Sequence, residues 1–150
     1  MINKLFFVLS FSLFLTLVFS ENKLNKPEIV FIPTKASGTL RTLTFSPDGK
    51  NICFCDIGEI KIYDINTGKQ VKSIPLNIRG ILSTLVYSPD GNLLSFGNIG
   101  EITIYDLQQN KTLISIPTKA TGTLNTLTFS PDGKKISFCD IGGVYIHNLF

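Results

Sequence analysis

Apolar residues follow two patterns along the chain. Over residues 5–19, LFFVLSFSLFLTLVF runs without a charged side chain. From residue 28 onward the apolar positions instead form short runs rich in Ile, Val, Thr, Phe and Tyr, separated by clusters of Pro, Asp, Asn and Gly. Glu28–Pro33, Leu40–Ser46, Asn51–Asp56 and Glu59–Tyr63 are the first four, and such runs bounded by turn residues predict β-strands. Side chains alternate across a strand, so Ile52 and Phe54 share one face while Cys53 and Cys55 share the other. Later in the chain Leu94 and Phe96 oppose Ser95 and Gly97, and Ile136 and Phe138 oppose Ser137 and Cys139. Each predicted sheet therefore has a bulky face and a small-residue face. Stacked sheets that bury both faces can set large against small at native packing density. After residue 25 no stretch sustains a helical apolar period.

The pattern is one unit written three times. Ser46-Pro47-Asp48-Gly49, Ser88-Pro89-Asp90-Gly91 and Ser130-Pro131-Asp132-Gly133 recur at a spacing of 42 residues without insertion. Ile32-Pro33, Ile74-Pro75 and Ile116-Pro117 keep the same register, as do Gly38, Gly80 and Gly122. Between residues 32–66 and 116–150, 24 of 35 positions are identical; against 74–108 the first copy matches at 18 of 35. Such a register, held three times, marks a repeat fold. Within each turn Pro fixes φ, Asp can bond its own backbone, and Gly accepts positive φ. The expected class is all-β: three four-stranded antiparallel propeller blades, with repeats at about 32–73, 74–115 and 116–150, after an N-terminal signal helix.

Residues 1–20 read as a signal. Met1 to Lys4 are singly positive, the apolar run follows, and Val18-Phe19-Ser20 then Glu21 fit a cleavage site between Ser20 and Glu21. The apolar run is shorter than the roughly 20 residues that span a bilayer, which makes an uncleaved anchor over residues 5–19 the alternative. Residues 21–27 read as a linker to the blades at 28–150. Both readings predict a secreted or extracytoplasmic location, with membrane contact only if the segment stays uncut.

The string L-T-F-S-P-D-G-K at 43–50, followed by Asp56, Gly58 and I-K-I-Y-D at 60–64, resembles the WD-repeat β-propeller family, and the resemblance extends over residues 28–148. Family blades carry Gly-His before the first strand and end in Trp-Asp. Here Lys35-Ala36, Asn77-Ile78 and Lys119-Ala120 stand at the first place, and Tyr63-Asp64, Tyr105-Asp106 and His147-Asn148 at the second. Ile57, Ile99 and Ile141 replace the family's Asp before the turn Gly, with Asp56, Asn98 and Asp140 one place earlier. The resemblance thus implies the blade without its polar network. It also makes 28–33 an outer strand and 123–148 the inner three strands of a last blade. Known propellers close with about four to eight blades, so three invite a six-bladed ring made by two copies.

Composition adds exclusions. The chain has 14 Lys and Arg, 11 Asp and Glu, one His and three Cys in 150 residues; without Lys4 its net charge is +2. That excludes a strongly basic nucleic-acid binder. Nucleophilic catalysis needs a His beside its nucleophile, and His147 stands where two copies have Tyr, as a strand residue would. Asp48, Asp90 and Asp132 have turn roles, Glu59 and Glu101 are loop positions, and no loop has EF-hand spacing. No catalytic residue, metal site or cofactor is expected. Cys53, Cys55 and Cys139 read as small strand residues interchangeable with Ser and Gly. Asn110-Lys111-Thr112 is a glycosylation sequon. Lys35 and Lys119, with Asn77 between them in the series, sketch a weakly basic rim.

These readings predict a non-enzymatic scaffold that binds an unidentified protein or peptide through blade-end loops. The alternatives are a lectin-like oligomer that closes a six-bladed ring as a homodimer, and a fragment of a larger propeller protein. Fold alone identifies no partner.

Overall fold

A computed structural model describes residues 31–32, 42–56, 58–76, 82–119, 124, 126–140 and 142–150. The chain divides into compact units at Met1–Phe31 and Ile32–Phe150, and everything below concerns the second. The expected signal helix, its cleavage site at Ser20 and Glu21, the linker and most of strand 28–33 lie outside the described residues.

Among the described residues, eleven strands form three antiparallel sheets. Sheet 1 comprises β1 (Leu43–Phe45), β2 (Asn51–Asp56), β3 (Glu59–Asp64) and β4 (Gln70–Pro75). Sheet 2 comprises β5 (Thr84–Tyr87), β6 (Leu93–Asn98), β7 (Glu101–Asp106) and β8 (Lys111–Pro117). Sheet 3 has β9 (Leu127–Phe129), β10 (Lys135–Asp140) and β11 (Gly143–Asn148). Each sheet is ordered as its strands occur in the chain, the pattern that tight hairpins produce.

The sheets depart from the four runs of the sequence unit but keep the offset of the outer strand that the resemblance implied. The outer strand of sheet 1 is β4, which follows the Tyr63-Asp64 motif, so each sheet is offset from the sequence unit that begins at Ile32. Sheet 3 has three strands among the described residues, fewer than the four of a full blade and the number the resemblance implied for 123–148. The cause is register: β3 pairs with β4 from Glu59↔Pro75 to Tyr63↔Gln70, and β7 pairs with β8 from Glu101↔Pro117 to Asp106↔Lys111. A hairpin closes on the strand that follows it, so the outer strand belongs to the sheet before it.

Large-against-small packing is present at both sheet interfaces. Cys53, Ile60, Ile62 and Ile74 on the small face of sheet 1 form one core with Leu85, Leu94 and Phe96 on the bulky face of sheet 2. Ile102 and Ile104 on the small face of sheet 2 form the second core with Leu127, Phe129, Ile136 and Phe138 of sheet 3. Sheet 2 is thus covered on both sides, and β6 is buried along its whole length. Gly97 shows how tight the fit is: a Cβ there would lie 2.9 Å from Leu124 Cδ1 and 2.8 Å from Thr84 Oγ1.

Candidate functional site

The three Ser-Pro-Asp-Gly turns share one frame. Each Ser hydroxyl donates to its Asp, at 2.6 Å for Ser46–Asp48, 2.5 Å for Ser88–Asp90 and 2.5 Å for Ser130–Asp132. The same hydroxyl oxygens accept the backbone N–H of Asn51, Leu93 and Lys135, each at 2.9 Å. The aspartates also accept the backbone N–H of Lys50, Asn92 and Lys134 at 3.0, 3.1 and 3.1 Å. Gly49, Gly91 and Gly133 close the turns at φ +69°, +75° and +70°, a backbone region that favours glycine. The Ser hydroxyl is the main reason that each Asp is held below the usual carboxylate range. Pro47, Pro89 and Pro131 complete the frame. These acids are engaged in shaping loops, and among the described residues no three His, Cys, Asp or Glu gather as a metal site.

The blade-end positions are equally local. Asp64 accepts the N–H of Thr67 at 2.7 Å, and Asp106 accepts those of Gln108 and Gln109 at 2.8 and 2.7 Å. Tyr63 stacks on Phe54 with ring centroids 5.5 Å apart and bonds Gln70 at 3.1 Å. Tyr105 is half-buried beside Thr112, while His147 and Asn148 lie exposed on β11. Glu59 and Glu101 each accept the hydroxyl of the opposing strand's serine, Ser73 and Ser115. Asn110 is exposed at φ 55°, the repeat position held in the first copy by Gly68 at φ 64°. Asn is one of the few residues that tolerate that backbone, which accounts for it without a glycan. Lys119 is exposed; Lys35 and Asn77 lie outside the described residues.

The turns bring together something that no single motif announces. A cleft of about 390 Å³ opens between sheets 1 and 2 at their turn end, lined by Pro47, Asp48, Val71, Lys72, Tyr87 and Asp90. Lys72 Nζ donates to the Leu107 carbonyl at its floor. The matching cleft between sheets 2 and 3, about 720 Å³, is lined by Pro89, Asn92, Gln109, Leu113, Pro131 and Phe150. The frame is the same, but the outer-strand residues are not: Val71 and Lys72 become Leu113 and Ile114. Residues after the blade-end motif are the most variable between copies, and that variation was the available signal. A third opening of about 770 Å³ runs along the inner strands past Thr42, Thr84 and Thr126. The buried Thr42 and Thr84 hydroxyls have no hydrogen-bond partner among the described residues.

One family match covers residues 7–140, that of the eukaryotic translation initiation factor eIF2A. The chain belongs to the eIF2A family. This is a β-propeller-related family, which agrees with the propeller-like repeat though not with WD repeats in particular. No curated protein matches the chain. The eIF2A match overturns the expectation of a secreted, extracytoplasmic or membrane-anchored protein, because the family is that of a cytoplasmic translation factor. The matched span takes in most of the apolar run at 5–19. The expected location rested on the charge, apolar length and cleavage-site pattern of residues 1–20, none of which is confined to exported proteins. Among the described residues no helix is long and apolar enough to cross a membrane.

Proposed function

We propose that this eIF2A-family chain is a non-catalytic protein-binding scaffold serving translation initiation, with its three sheets arranged as propeller-type blades. The observation that carries the reading is the pair of turn-end clefts, built on an identical hydrogen-bonded frame but lined by different side chains. A rigid frame with variable lining is how a scaffold places binding groups without moving its core. The second cleft, lined by Leu113 and Phe150 together with Asn92 and Gln109, suits a peptide carrying an apolar anchor beside backbone groups that need partners. The hydroxyl–carboxylate pairs that line the clefts, Ser46–Asp48 and Ser88–Asp90, are engaged in holding the turns, so the chemistry we assign to the clefts is recognition.

A photo-crosslinking residue at Leu113, used in a translation extract, tests this. Adducts with initiation-complex proteins, lost when Gln109→Ala and Phe150→Ala are added, support the scaffold. Adducts that are unchanged by both substitutions, or that involve no initiation component, overturn it.

A further inference from the structure

The two sheet interfaces correspond position by position at their turn ends, and they differ in chemistry there. Between sheets 2 and 3, Leu93 and Ile114 pack with Phe129 and Leu149 in an apolar core. The repeat counterparts between sheets 1 and 2, each 42 residues earlier, are Asn51, Lys72, Tyr87 and Leu107. Three of these four are polar. They come from three different strands, β2, β4 and β5, and all of them line the first cleft. Leu93, Phe129 and Leu149 are each 8% exposed, whereas Asn51, Lys72 and Tyr87 are half-buried. The first cleft thus has polar walls where the second interface is closed by carbon. A polar group set into such an interface costs stability unless something bonds it.

Tyr87 is accounted for within the fold, because its hydroxyl meets the Cys53 thiol across the interface. Lys72 is not. A lysine drawn into an interface normally meets a carboxylate. Its ammonium donates to the Leu107 carbonyl, and among the described residues no carboxylate lies within 4.0 Å of it. An ammonium has three N–H groups, so one bond leaves it unsaturated. The two aspartates of the cleft are already engaged. Oδ1 of Asp48 accepts from Ser46 and Lys50, and Asp90 accepts from Ser88 and Asn92 through both oxygens.

We propose that the first cleft binds a partner peptide through an acidic side chain placed on Lys72, with a basic residue beside it at Asp48 and Asp90. With the clefts read as peptide sites, on which this assignment rests, the first one selects for that pair of charges. A carboxylate gives the Lys72 ammonium the charge-assisted bonds that the fold does not supply. The anion does not come alone, because Asp48 and Asp90 against Lys72 leave the lining with a net charge of −2 + 1 = −1. A guanidinium or ammonium next to the carboxylate offsets that charge. A phosphate carries roughly −1.5 to −2 and would be repelled more strongly by the same aspartates. In the second interface Ile114 stands in place of Lys72, so this preference belongs to the first cleft.

The test uses the full chain, labelled with 15N, and capped Gly-Glu-Arg-Gly as the probe. Comparison peptides replace the glutamate with glutamine or phosphoserine, or the arginine with glutamine. In an NMR titration the glutamate–arginine peptide should shift the amides of Lys72 and Leu107. It should bind about ten-fold more tightly than the Gln-Arg peptide, as one charge-assisted bond implies, and more tightly than the other two. Lys72→Ile, which copies Ile114, should abolish the glutamate preference, and Lys72→Arg should keep it. Lys72→Gln retains a donor for the Leu107 carbonyl and should lose the preference as well.

Thermal melts supply a readout that needs no peptide. A lysine kept for a ligand is a burden on the free chain, so Lys72→Ile should melt no lower than the parent. A clear drop in its melting temperature, or its failure to fold, marks Lys72 as structural and overturns the assignment. Equal binding of the Glu and Gln peptides, a preference for phosphoserine, or a glutamate preference that survives Lys72→Gln overturns it too. Leu113 adducts that persist without any glutamate preference sink this assignment and spare the scaffold. A glutamate preference without adducts to initiation-complex proteins does the reverse, so the two readings fail separately.

Discussion

Lys61 Nζ lies 2.7 Å from Oδ2 of Asp56, across the hairpin that joins β2 to β3. The Asp56 side chain is fully buried, and its other oxygen, Oδ1, has no partner among the described residues. The next repeat has Asn98 and Thr103 at these places, so the charge on both strands is removed together. Removing the lysine alone strands a buried carboxylate, whereas removing both charges does not. Lys61→Thr should therefore lower the melting temperature by more than Asp56→Asn with Lys61→Thr does. Thermal melts of the two variants check the order. The ion pair raises the Lys61 pKa above its ordinary 10.5, so its contribution is complete below that pH and is lost as pH rises beyond it. The alkaline limb of a stability–pH curve should flatten in the double variant.

Gly97 occupies the place of Cys55 and Cys139, but here any Cβ meets Leu124 and Thr84 below 3.0 Å. Gly97→Ala should destabilise by about 1–3 kcal/mol, the usual cost of overpacking a tight core. Adding Leu124→Val should recover part of that loss, because it withdraws the nearest methyl group. Urea unfolding with an unchanged slope would read out both changes; no loss in the single variant would disprove the tight fit.

Much of this architecture is written in the chain because it is written three times. Alternation at Ile52–Cys55, Leu94–Gly97 and Ile136–Cys139 was enough to predict both faces of each sheet and their large-on-small packing. The Ser-Pro-Asp-Gly turns were legible for a similar reason: their bonds are local, running from Ser46 to Asp48 and Asn51. What depended on distance was not legible. The clefts appear only once Tyr87 and Val71 line one opening from two sheets, and Leu124 reaches Gly97 from another repeat. Location was misread because a local charge and apolar pattern at residues 1–20 carries no information about the family to which the whole chain belongs.

Ser88 is the most enclosed of the three turn serines, 1% exposed against 8% for Ser46. Its oxygen accepts the Leu93 N–H while its hydrogen goes to Asp90, so Ser88→Ala leaves a buried donor unpaired. The expected cost is about 1–3 kcal/mol, larger than for Ser130→Ala at its partly exposed turn. Because the hydroxyl lowers the Asp90 pKa from 3.8, its stabilisation is complete above that pH and fades as pH falls below it. Acid unfolding of the parent should be steeper below pH 3.8 than that of the Ser88→Ala variant.

The cysteines give the last prediction. Burial pushes the Cys53 thiol up to about 12, and Cys55 is raised by the same cause from its half-buried position. The thiolate is the reactive form, so at pH 8 Cys53 is both enclosed and protonated. Alkylation with iodoacetamide followed by peptide mass spectrometry should modify Cys139, which is exposed on sheet 3. Cys53 should react only after urea unfolds the chain. Because a raised thiol pKa favours the neutral form in the folded state, stability should also fall as pH rises above 9.0, the ordinary value. Cys53→Ser, which copies Ser95 and Ser137, removes that titration and should abolish its share of the alkaline loss. Rapid native labelling of Cys53 at pH 8 would show that sheets 1 and 2 are not closed over it.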